Sequence, residues 1–330
     1  MRAPRCGWRK SASWNKRCNL RVVAIVVSFN RLARLEQCVE SLRSQTHKPD
    51  TILVVDSSTQ PEVRAWLDAQ PDVTKLYAQN AGSAGGMHRG MTWALAHDMD
   101  WMWLFDDDVA ATPDALEQLL QCLAQRPALD VVNSLAVREE DATRPSSGAV
   151  IWRNDPQNYL SGVLVEQVAE IRARADSDGL VDTIGGQLYQ GTLISRRAVE
   201  HVGVVKIEYF TRGDEVEYGL RLMRAGYHLY VCVRSIGTHP SSKTVFVHLF
   251  GKTIPLGRMA PLKRYYSIRN SIWIRREYYR GHSFWLYVFR RAGAGVFQES
   301  LGERGKSIGQ RLDGCRAVLR GVRDGVLMKM

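Results

Sequence analysis

The chain has 330 residues, of which 45% are hydrophobic and 24% are charged, so it can bury the core of one large domain or of two small ones. A net charge of +11 favours an anionic partner such as a nucleotide, a nucleic acid or an acidic lipid surface. Six scattered cysteines without a C-x-x-C pair argue against a disulfide framework. No apolar run reaches the length of about eighteen residues that a transmembrane helix needs.

Most of the positive charge lies near the end of the chain. Residues 251–330 hold 17 Lys or Arg against 5 Asp or Glu, so the remainder is close to neutral. Residues 1–20 are basic but lack an apolar core and a cleavage signal, so we expect a disordered arm rather than a secretory peptide. Together with the unpaired cysteines, this favours a cytoplasmic location.

Strands and helices alternate through the first 125 residues. The β-branched run at 22–29 predicts a strand buried on both faces, and the segment 31–45 places four apolar residues on one helical stripe. Further strands and helices are predicted at 50–56, 61–70, 75–80, 85–98, 101–105 and 113–125. This alternation predicts an α/β fold with a mostly parallel sheet flanked by helices, in which ligands bind at the carboxyl ends of the strands.

The alternation loosens after about residue 130. Strands or helices are predicted at 129–137, 148–153, 186–203, 214–226 and 228–233. The polar segment 154–180 predicts a long excursion or a lid. From residue 262 onwards the chain has a helical pattern and is basic and aromatic.

Three consecutive carboxylates, Asp106, Asp107 and Asp108, follow the apolar run 101–105. Like charges this close cost free energy unless a positive group holds them. Asp106 and Asp108 lie on one face of an extended segment, and their oxygens suit Mg²⁺ or Mn²⁺, which in turn binds a diphosphate. A self-solvated acidic turn is the alternative, but it explains three carboxylates after a buried strand poorly.

Three weaker signals lie at neighbouring positions. The segment 80–90, N-A-G-S-A-G-G-M-H-R-G, brings glycines and Arg89 to a helix N-terminus and favours either an anion or a plain tight turn. Asp214 and Glu215 open a helix, where they either complement its dipole or supply a general base. His239 follows a strand and is either structural or a metal ligand.

These segments occur in the order of family 2 glycosyltransferases with the GT-A fold, over roughly residues 22–250. The resemblance is carried by V-V-S-F-N-R, L-V-V-D-S-S, W-L-F-D-D-D, G-T-L-I-S-R-R and the histidine of G-T-H-P. N-x-G-x-A-G-G-x-x-R-G, joined to D-D-D and D-E-V-E-Y-G-L-R, most resembles the galactofuranosyltransferase branch, with rhamnosyltransferases close by.

The resemblance implies an inverting, metal-dependent transfer of a sugar to a hydroxyl group of a glycan or lipid-linked glycan in cell-surface polysaccharide synthesis. Galactofuranose from UDP-galactofuranose is the first expectation, and rhamnose from dTDP-rhamnose is the alternative. The implied donor-binding residues are Ser28, Phe29, Asn30 and Arg31 along the nucleoside, Asp56 at the base, Asn80, Gly82, Gly85, Gly86 and Arg89 around the diphosphate, and Asp107 at the sugar. Mn²⁺ or Mg²⁺ is expected on Asp106, Asp108 and His239.

The resemblance leaves the catalytic base open between two residues. The branch usually carries Trp-Asp-Asp where this sequence has Gly213-Asp214-Glu215. Glu215 aligns with the second Asp of that motif, whereas Asp214 matches an unchanged carboxylate. We therefore expect the base to be one of these two side chains.

The predicted organisation is a disordered arm at 1–20, a GT-A domain at 21–250 and a basic helical region at 251–330. The last region predicts peripheral contact with the inner face of the cytoplasmic membrane, and its alternative is a solvated face that closes the domain or forms a dimer. Two other classes are disfavoured. An oxidoreductase lacks G-x-G-x-x-G after the first strand, and no reader motif supports a nucleic-acid partner.

Overall fold

The computed structural model describes residues 20–146, 150–153, 162–184, 188–241, 244–249, 252–257, 259–279, 284–301 and 307–327. The predicted arm therefore lies outside the described residues except for Leu20, and so do Cys6 and Cys18. The cysteines within the described residues are free thiols.

A parallel half-sheet forms the first part of the molecule. Its strands are β1 (Val22–Ser28), β2 (Thr51–Asp56), β3 (Val73–Tyr77) and β4 (Trp101–Asp106). The crossover helices are α1 (Leu32–Arg43), α2 (Pro61–Asp68) and α3 (Gly82–Ala96). Strands β2 and β4 both pair with β1 in parallel, one on each side. Every residue of β1 is buried because an apolar cluster covers each face of the sheet there. The carboxyl ends of β1, β2 and β4 therefore meet at one edge.

The second half of the sheet is mixed. Its elements are β5 (Ala110–Ala111), α4 (Ala115–Gln125), β6 (Val131–Arg138), β7 (Val150–Arg153), β8 (Gly162–Val165), α5 (Val168–Ala173), β9 (Leu180–Thr183), β10 (Gln190–Ser195), α6 (Arg196–Val202), α7 (Asp214–Arg224) and β11 (Leu229–His239). The strand order is β3-β2-β1-β4-β10-β6-β11-β9-β7-β8, and β5 pairs with β11. Because β10 runs antiparallel to both β4 and β6, the parallel pairing that the alternation predicts is concentrated in the first half.

Two segments differ from the sequence-based expectation. The predicted excursion at 154–180 contains β8 and α5 in its described part, and both elements are too short for their periodicity to be read. The strand predicted at 228–233 continues to His239, because β11 resumes its pairing with β6 after an irregularity between Cys232 and Ile236. His239 is thus the last residue of a strand.

The C-terminal region packs onto the α/β core. It comprises the hairpin strands β12 (Thr244–Leu249) and β13 (Lys252–Gly257) and the helices α8 (Pro261–Tyr278), α9 (Phe284–Leu301) and α10 (Ile308–Leu327). Trp273 and Ile274 of α8 join the same apolar cluster as the inner face of α3. The predicted boundary at 250/251 falls between the two strands of the hairpin. Among the described helices, none is long and apolar enough to span a bilayer.

Candidate active site

A cleft of about 330 Å³ opens at the carboxyl edge of β1 and β4. These strand ends are neighbours, since Val27 pairs with Asp106 in the parallel ladder. Residues of the start of α3, of the segment before α7 and of the start of α8 close the other sides. The predicted site residues that line this cleft are Ser28, Phe29, Arg31, Asn80, Gly82 and Asp106.

An arginine supplies the positive charge beside the acidic triplet. Arg31 forms ion pairs with both Asp107 and Asp108, and the fully buried Asp107 also accepts a hydrogen bond of 3.1 Å from the backbone N–H of Phe29. The guanidinium and this N–H explain how two adjacent carboxylates are held at the end of β4. The sequence analysis placed Arg31 with the donor nucleoside and did not foresee this contact.

The three aspartates differ in their acidity. Burial and the charges of Asp108, Glu215 and Asp107 raise the pKa of Asp106 well above its usual value. Burial also raises the pKa of Asp107, to about 6, against the opposing charge of Arg31. Burial acts in the same direction on Asp108, but the neighbouring His239 and the charge of Arg31 outweigh it and lower this pKa to about 2.

Two of the three predicted cation ligands, Asp108 and His239, lie next to each other. His239 Nε2 is 3.4 Å from Asp108 Oδ1, and that buried oxygen accepts no hydrogen bond from the described residues. Carboxylate oxygens and an imidazole suit Mn²⁺ or Mg²⁺, so the chemistry of Asp106, Asp108 and His239 fits such an ion. Within the part of the chain that the structure describes, no three His, Cys, Asp or Glu residues form a ready-made metal cluster.

The glycine-rich segment has two different functions in the fold. Gly82, at φ +72°, starts α3, and a Cβ there would lie 1.9 Å from the carbonyl oxygen of Phe210. This close approach lets the N–H of Ala84 donate to the same oxygen at 3.0 Å. Asn80 Oδ1 accepts from the N–H of Gly82 at 2.8 Å and so fixes the turn into the helix.

Three residues predicted to surround the diphosphate do not line the cleft. Because α3 begins at Gly82 and not at residue 85, Gly85 and Gly86 lie inside the helix. A Cβ on Gly86 would lie 2.4 Å from Cγ1 of Val27, so Gly86 faces the sheet and allows close packing. Arg89 lies one turn further along and points back to the carbonyl of Gly85, at 3.4 Å.

Asn30 and Asp56 fix the loop after β2. Asn30 Oδ1 accepts from the N–H of Thr59 at 2.8 Å, and the N–H of Asn30 donates to Ser58 Oγ at 2.8 Å. Asp56 is buried and accepts from Ser58 Oγ at 2.6 Å. The structure therefore places both residues behind the rim of the cleft, with partners of their own.

The two candidate bases have unlike surroundings. Asp214 is buried and accepts a hydrogen bond of 3.0 Å from Ser83 Oγ, whereas Glu215 is half-buried and lines a second cavity. Burial raises the pKa of Asp214 to about 6. Burial and the charge of Asp214 raise the pKa of Glu215 to about 8. The charge of Glu215 also raises the pKa of Asp106. The two candidate bases and the three aspartates after β4 therefore influence one another electrostatically.

The segment 208–213 holds the candidate bases in place through a strained backbone. Phe210 and Arg212 have φ of 60° and 62°, and Gly213 has φ of 102°, values that cost free energy at the two residues with a Cβ. One side chain of α8 stabilises this path. Asn270 Nδ2 lies 2.8, 2.9 and 2.7 Å from the carbonyl oxygens of Tyr209, Thr211 and Arg212.

Neighbouring α8 residues reinforce the same segment. Arg269 donates to the carbonyl of Glu208, and the ring of Tyr266 stacks on Phe210 with centroids 4.7 Å apart. The sequence analysis missed Arg269 and Asn270. Both residues lie between Ile268 and Ile272 in the sequence. Polar residues on the buried part of a helix need hydrogen-bond partners, and this was the signal that could have identified them.

Tyr189 is a further residue that the motifs did not reveal. Its backbone carbonyl accepts from the N–H of Asp106 at 2.7 Å. Its hydroxyl is buried without a hydrogen-bond partner among the described residues. Burial and the charges of Asp214, Glu215 and Asp106 raise its pKa well above the usual value, so the hydroxyl of Tyr189 stays neutral near these acidic groups.

Comparisons with known proteins agree with this architecture. The model of Glycosyl transferase family 2 matches residues 23–174. Galactofuranosyltransferase GlfT1 of Mycolicibacterium smegmatis is 33% identical over 264 residues, covering 76% of this chain and 81% of that protein. Galactofuranosyltransferase GlfT1 of Mycobacterium tuberculosis is 31% identical over 262 residues, covering 76% and 80%.

A more distant relative and a solved structure extend the comparison. The dTDP-rhamnosyl transferase RfbF of Shigella flexneri is 21% identical over 276 residues, covering 78% of this chain and 81% of that protein. The crystal structure of GalNAc-T7 with UDP, GalNAc and Mn²⁺ shares the fold with a TM-score of 0.56 at 13% identity. The match covers 94% of this chain and 58% of the GalNAc-T7 chain.

Proposed function

Because the chain belongs to glycosyltransferase family 2, in the branch of the galactofuranosyltransferases and rhamnosyltransferases, we propose that it transfers galactofuranose from UDP-galactofuranose. The acceptor is a hydroxyl group of a glycan or lipid-linked glycan in cell-surface polysaccharide synthesis. Family membership makes the protein a glycosyltransferase with a GT-A fold and sets aside the oxidoreductase alternative. The observation that carries the proposal is the cleft at the acidic end of β4, where Asp106 lies within electrostatic reach of Glu215 at the start of α7.

The relatives favour galactofuranose over rhamnose as the donor sugar. Two galactofuranosyltransferases match at 33% and 31% identity, against 21% for the rhamnosyl transferase. All three cover about three quarters of this chain, so the identities are compared over stretches of similar length. dTDP-rhamnose remains the second candidate donor, because the rhamnosyl transferase also matches this chain.

The proposed chemistry is a single displacement. The acceptor oxygen forms a bond to C1 of the sugar while the bond from C1 to the UDP oxygen breaks, and attack from the opposite face inverts the anomeric centre. Glu215 takes the proton of the acceptor hydroxyl, because it faces the second cavity while Asp214 is buried against Ser83. A base with a pKa near neutrality is well matched to this proton transfer.

We propose that Asp106 and Asp108, with His239, hold Mn²⁺ or Mg²⁺. When bound, such an ion supplies positive charge that stabilises the negative UDP leaving group. Arg31 forms ion pairs with Asp107 and Asp108, so it keeps the ligand carboxylate of Asp108 in place after β4. The unpartnered Oδ1 of Asp108 supports the assignment.

A thermal-shift comparison of nucleotide sugars tests the donor. With Mn²⁺ present, UDP-galactofuranose should raise the unfolding temperature more than dTDP-rhamnose at equal concentration, because binding to the folded state adds stability. The Asp108→Asn variant should lose most of that shift and serves as the matched control. A larger shift with dTDP-rhamnose would move the assignment to the rhamnosyltransferases, and no shift with either would contradict the donor class.

We further propose that α9 rests on the inner face of the cytoplasmic membrane. Trp285, Leu286 and Phe289 are 57%, 53% and 70% exposed, although aromatic and aliphatic side chains of this size usually pack inside. Arg290 is exposed beside them. Aromatic residues next to basic ones are typical of helices that lie in the interface of an anionic bilayer.

Vesicle flotation tests this contact. The protein should float with vesicles that contain anionic lipid and should be released by salt, and the double variant Trp285→Ser, Phe289→Ser should float less. Leu319→Ser on α10, which is exposed to a similar degree at 60%, is the control. Equal flotation of all three proteins would remove α9 as the contact.

A further inference from the structure

A second cavity, of about 530 Å³, lies beside Glu215. It is formed by the start of α7, one face of α8 and part of α9, and it is separate from the donor cleft. Phe210 and Thr211 line the donor cleft, whereas the next residues, Arg212 and Gly213, line this cavity. The segment 208–213 therefore lies where the two spaces adjoin, and Glu215 lines the second of them.

The cavity is positively charged. Its described lining contains three guanidinium groups, of Arg212, Arg275 and Arg291, against one carboxylate, that of Glu215. None of the three arginines forms an ion pair with another described residue. Uncompensated arginines that converge on one space favour an anionic ligand, because the guanidinium fork binds phosphate oxygens in pairs.

Two of these arginines are held in position by neutral groups. Arg291 donates to the hydroxyls of Ser271 and Ser267, at 3.2 and 3.0 Å. The guanidinium of Arg275 lies 5.0 Å and 5.4 Å from the ring centres of Tyr279 and Tyr287. The Nε of Arg275 is buried without a hydrogen-bond partner in the described structure. Their charges are thus oriented but not neutralised.

We infer that this cavity is the acceptor subsite and that it binds a phosphate or diphosphate group carried by the acceptor. The inference rests on the proposed function, because it takes Glu215 as the group that receives the acceptor proton. Three positive charges match a group with two or more negative charges better than a single carboxylate. The arginines would then fix the acceptor so that its hydroxyl, and not water, meets Glu215.

Binding of inorganic pyrophosphate tests the site without any transfer reaction. The protein is first saturated with UDP in the presence of Mn²⁺, so that the donor cleft is filled. Pyrophosphate is then titrated calorimetrically, and the same titration without protein is subtracted. Arg275→Gln and Arg291→Gln should each weaken the binding at least about tenfold, because each removes a charge-assisted contact. Arg290→Gln, at the exposed neighbouring position, is the control and should bind as the parent protein does.

Two further experiments are needed. One distinguishes a folding defect from a lost contact, and the other distinguishes a free phosphate ligand from a lipid-borne one. Arg275→Lys keeps the charge but loses the fork, and it should bind with intermediate strength while the unfolding temperature stays unchanged. A soluble sugar phosphate and vesicles carrying a polyprenyl phosphate are then compared as competitors of pyrophosphate. Competition by either supports the site and shows whether the phosphate is free or lipid-borne, whereas competition by neither overturns the inference.

The outcomes are distinct from those of the donor test. Equal pyrophosphate binding by the parent protein, Arg275→Gln and Arg291→Gln would overturn the acceptor subsite even if UDP-galactofuranose is the donor. Loss of pyrophosphate binding in both variants would support the subsite even if the thermal-shift comparison selects dTDP-rhamnose.

Discussion

The two walls of the active-site cleft are held in place by different forces. The wall formed by β1 and β4 rests on a parallel ladder whose strands are buried on both faces. The wall formed by residues 208–215 has no ladder and depends on hydrogen bonds from α8, most of all those of Asn270. The first wall should therefore tolerate loss of a single polar contact, whereas the second should not.

The largest effect on turnover is expected at the wall formed by β1 and β4, which we call the ladder wall. A substitution there removes a proposed cation ligand and leaves the packing of the strands intact. Asp108→Asn should lower turnover on the order of a thousandfold, because a divalent cation contributes several kcal/mol of charge stabilisation. The unfolding temperature should change little, since β4 keeps its pairing. Turnover is measured with Mn²⁺ and with EDTA. Full activity of the parent protein in EDTA would contradict the cation assignment.

On the opposite wall, the two carboxylates can be separated by substitution. Glu215→Gln should lower turnover at least about a hundredfold while donor binding is kept, because proton transfer by a positioned base contributes at least that factor. Asp214→Asn should have a smaller effect on turnover, because Asp214 is buried against Ser83 and does not face the acceptor cavity. The reverse order would identify Asp214 as the base.

The pH profile gives an independent measure of the same pair. Glu215 acts only when ionised, and its pKa is raised to about 8, so kcat/KM should fall as the pH is lowered through about 8. Asp214→Asn removes the neighbouring charge that helps to raise this pKa, so the midpoint should move to lower pH. A midpoint near 6 in the parent protein, the value to which the pKa of Asp214 is raised, would point to Asp214 instead.

A smaller effect on rate is expected from the clamp, by which we mean the hydrogen bonds from Asn270 to the backbone of residues 208–213. Asn270→Ala removes the amide group shared by the carbonyls of Tyr209, Thr211 and Arg212 and should lower kcat about tenfold, with a loss of stability of about 1–3 kcal/mol. Affinity for UDP should be unchanged, because the ladder wall is intact. Arg276→Ala, at an exposed position of α8 that lines neither cavity, is the control for the helix itself. A weakened UDP affinity with normal kcat would show that the clamp serves the donor and not the base.

The smallest effect on activity is expected inside α3. Gly86→Ala places a Cβ 2.4 Å from Val27 and should cost about 1–3 kcal/mol of stability, with turnover nearly unchanged. Gly293→Ala on α9 is the matched control, since a Cβ there meets no atom within 4 Å and alanine favours a helix. Equal unfolding temperatures in thermal denaturation would show that α3 can shift away from β1.

The sequence predicted the ladder wall far better than the clamped wall. The strands β1, β2 and β4 follow apolar runs that end in Ser28, Asp56 and Asp106, and periodicity alone locates such elements. Asn270 reaches carbonyls about sixty positions earlier in the chain, and Arg31 reaches aspartates more than seventy positions later. No local pattern encodes contacts of that range. The start of α3 was misplaced because Gly85 and Gly86 look like a loop, although their lack of Cβ serves helix packing.

The dual position of α8 has a consequence for protein engineering. This helix carries Asn270, which supports the backbone next to the base, and Arg275, which lines the acceptor cavity. Exchanging the C-terminal helices between relatives to obtain a new acceptor preference would therefore replace the scaffold of the catalytic machinery as well. A working chimera should need its donor strands, its 208–213 segment and its α8 matched as one unit.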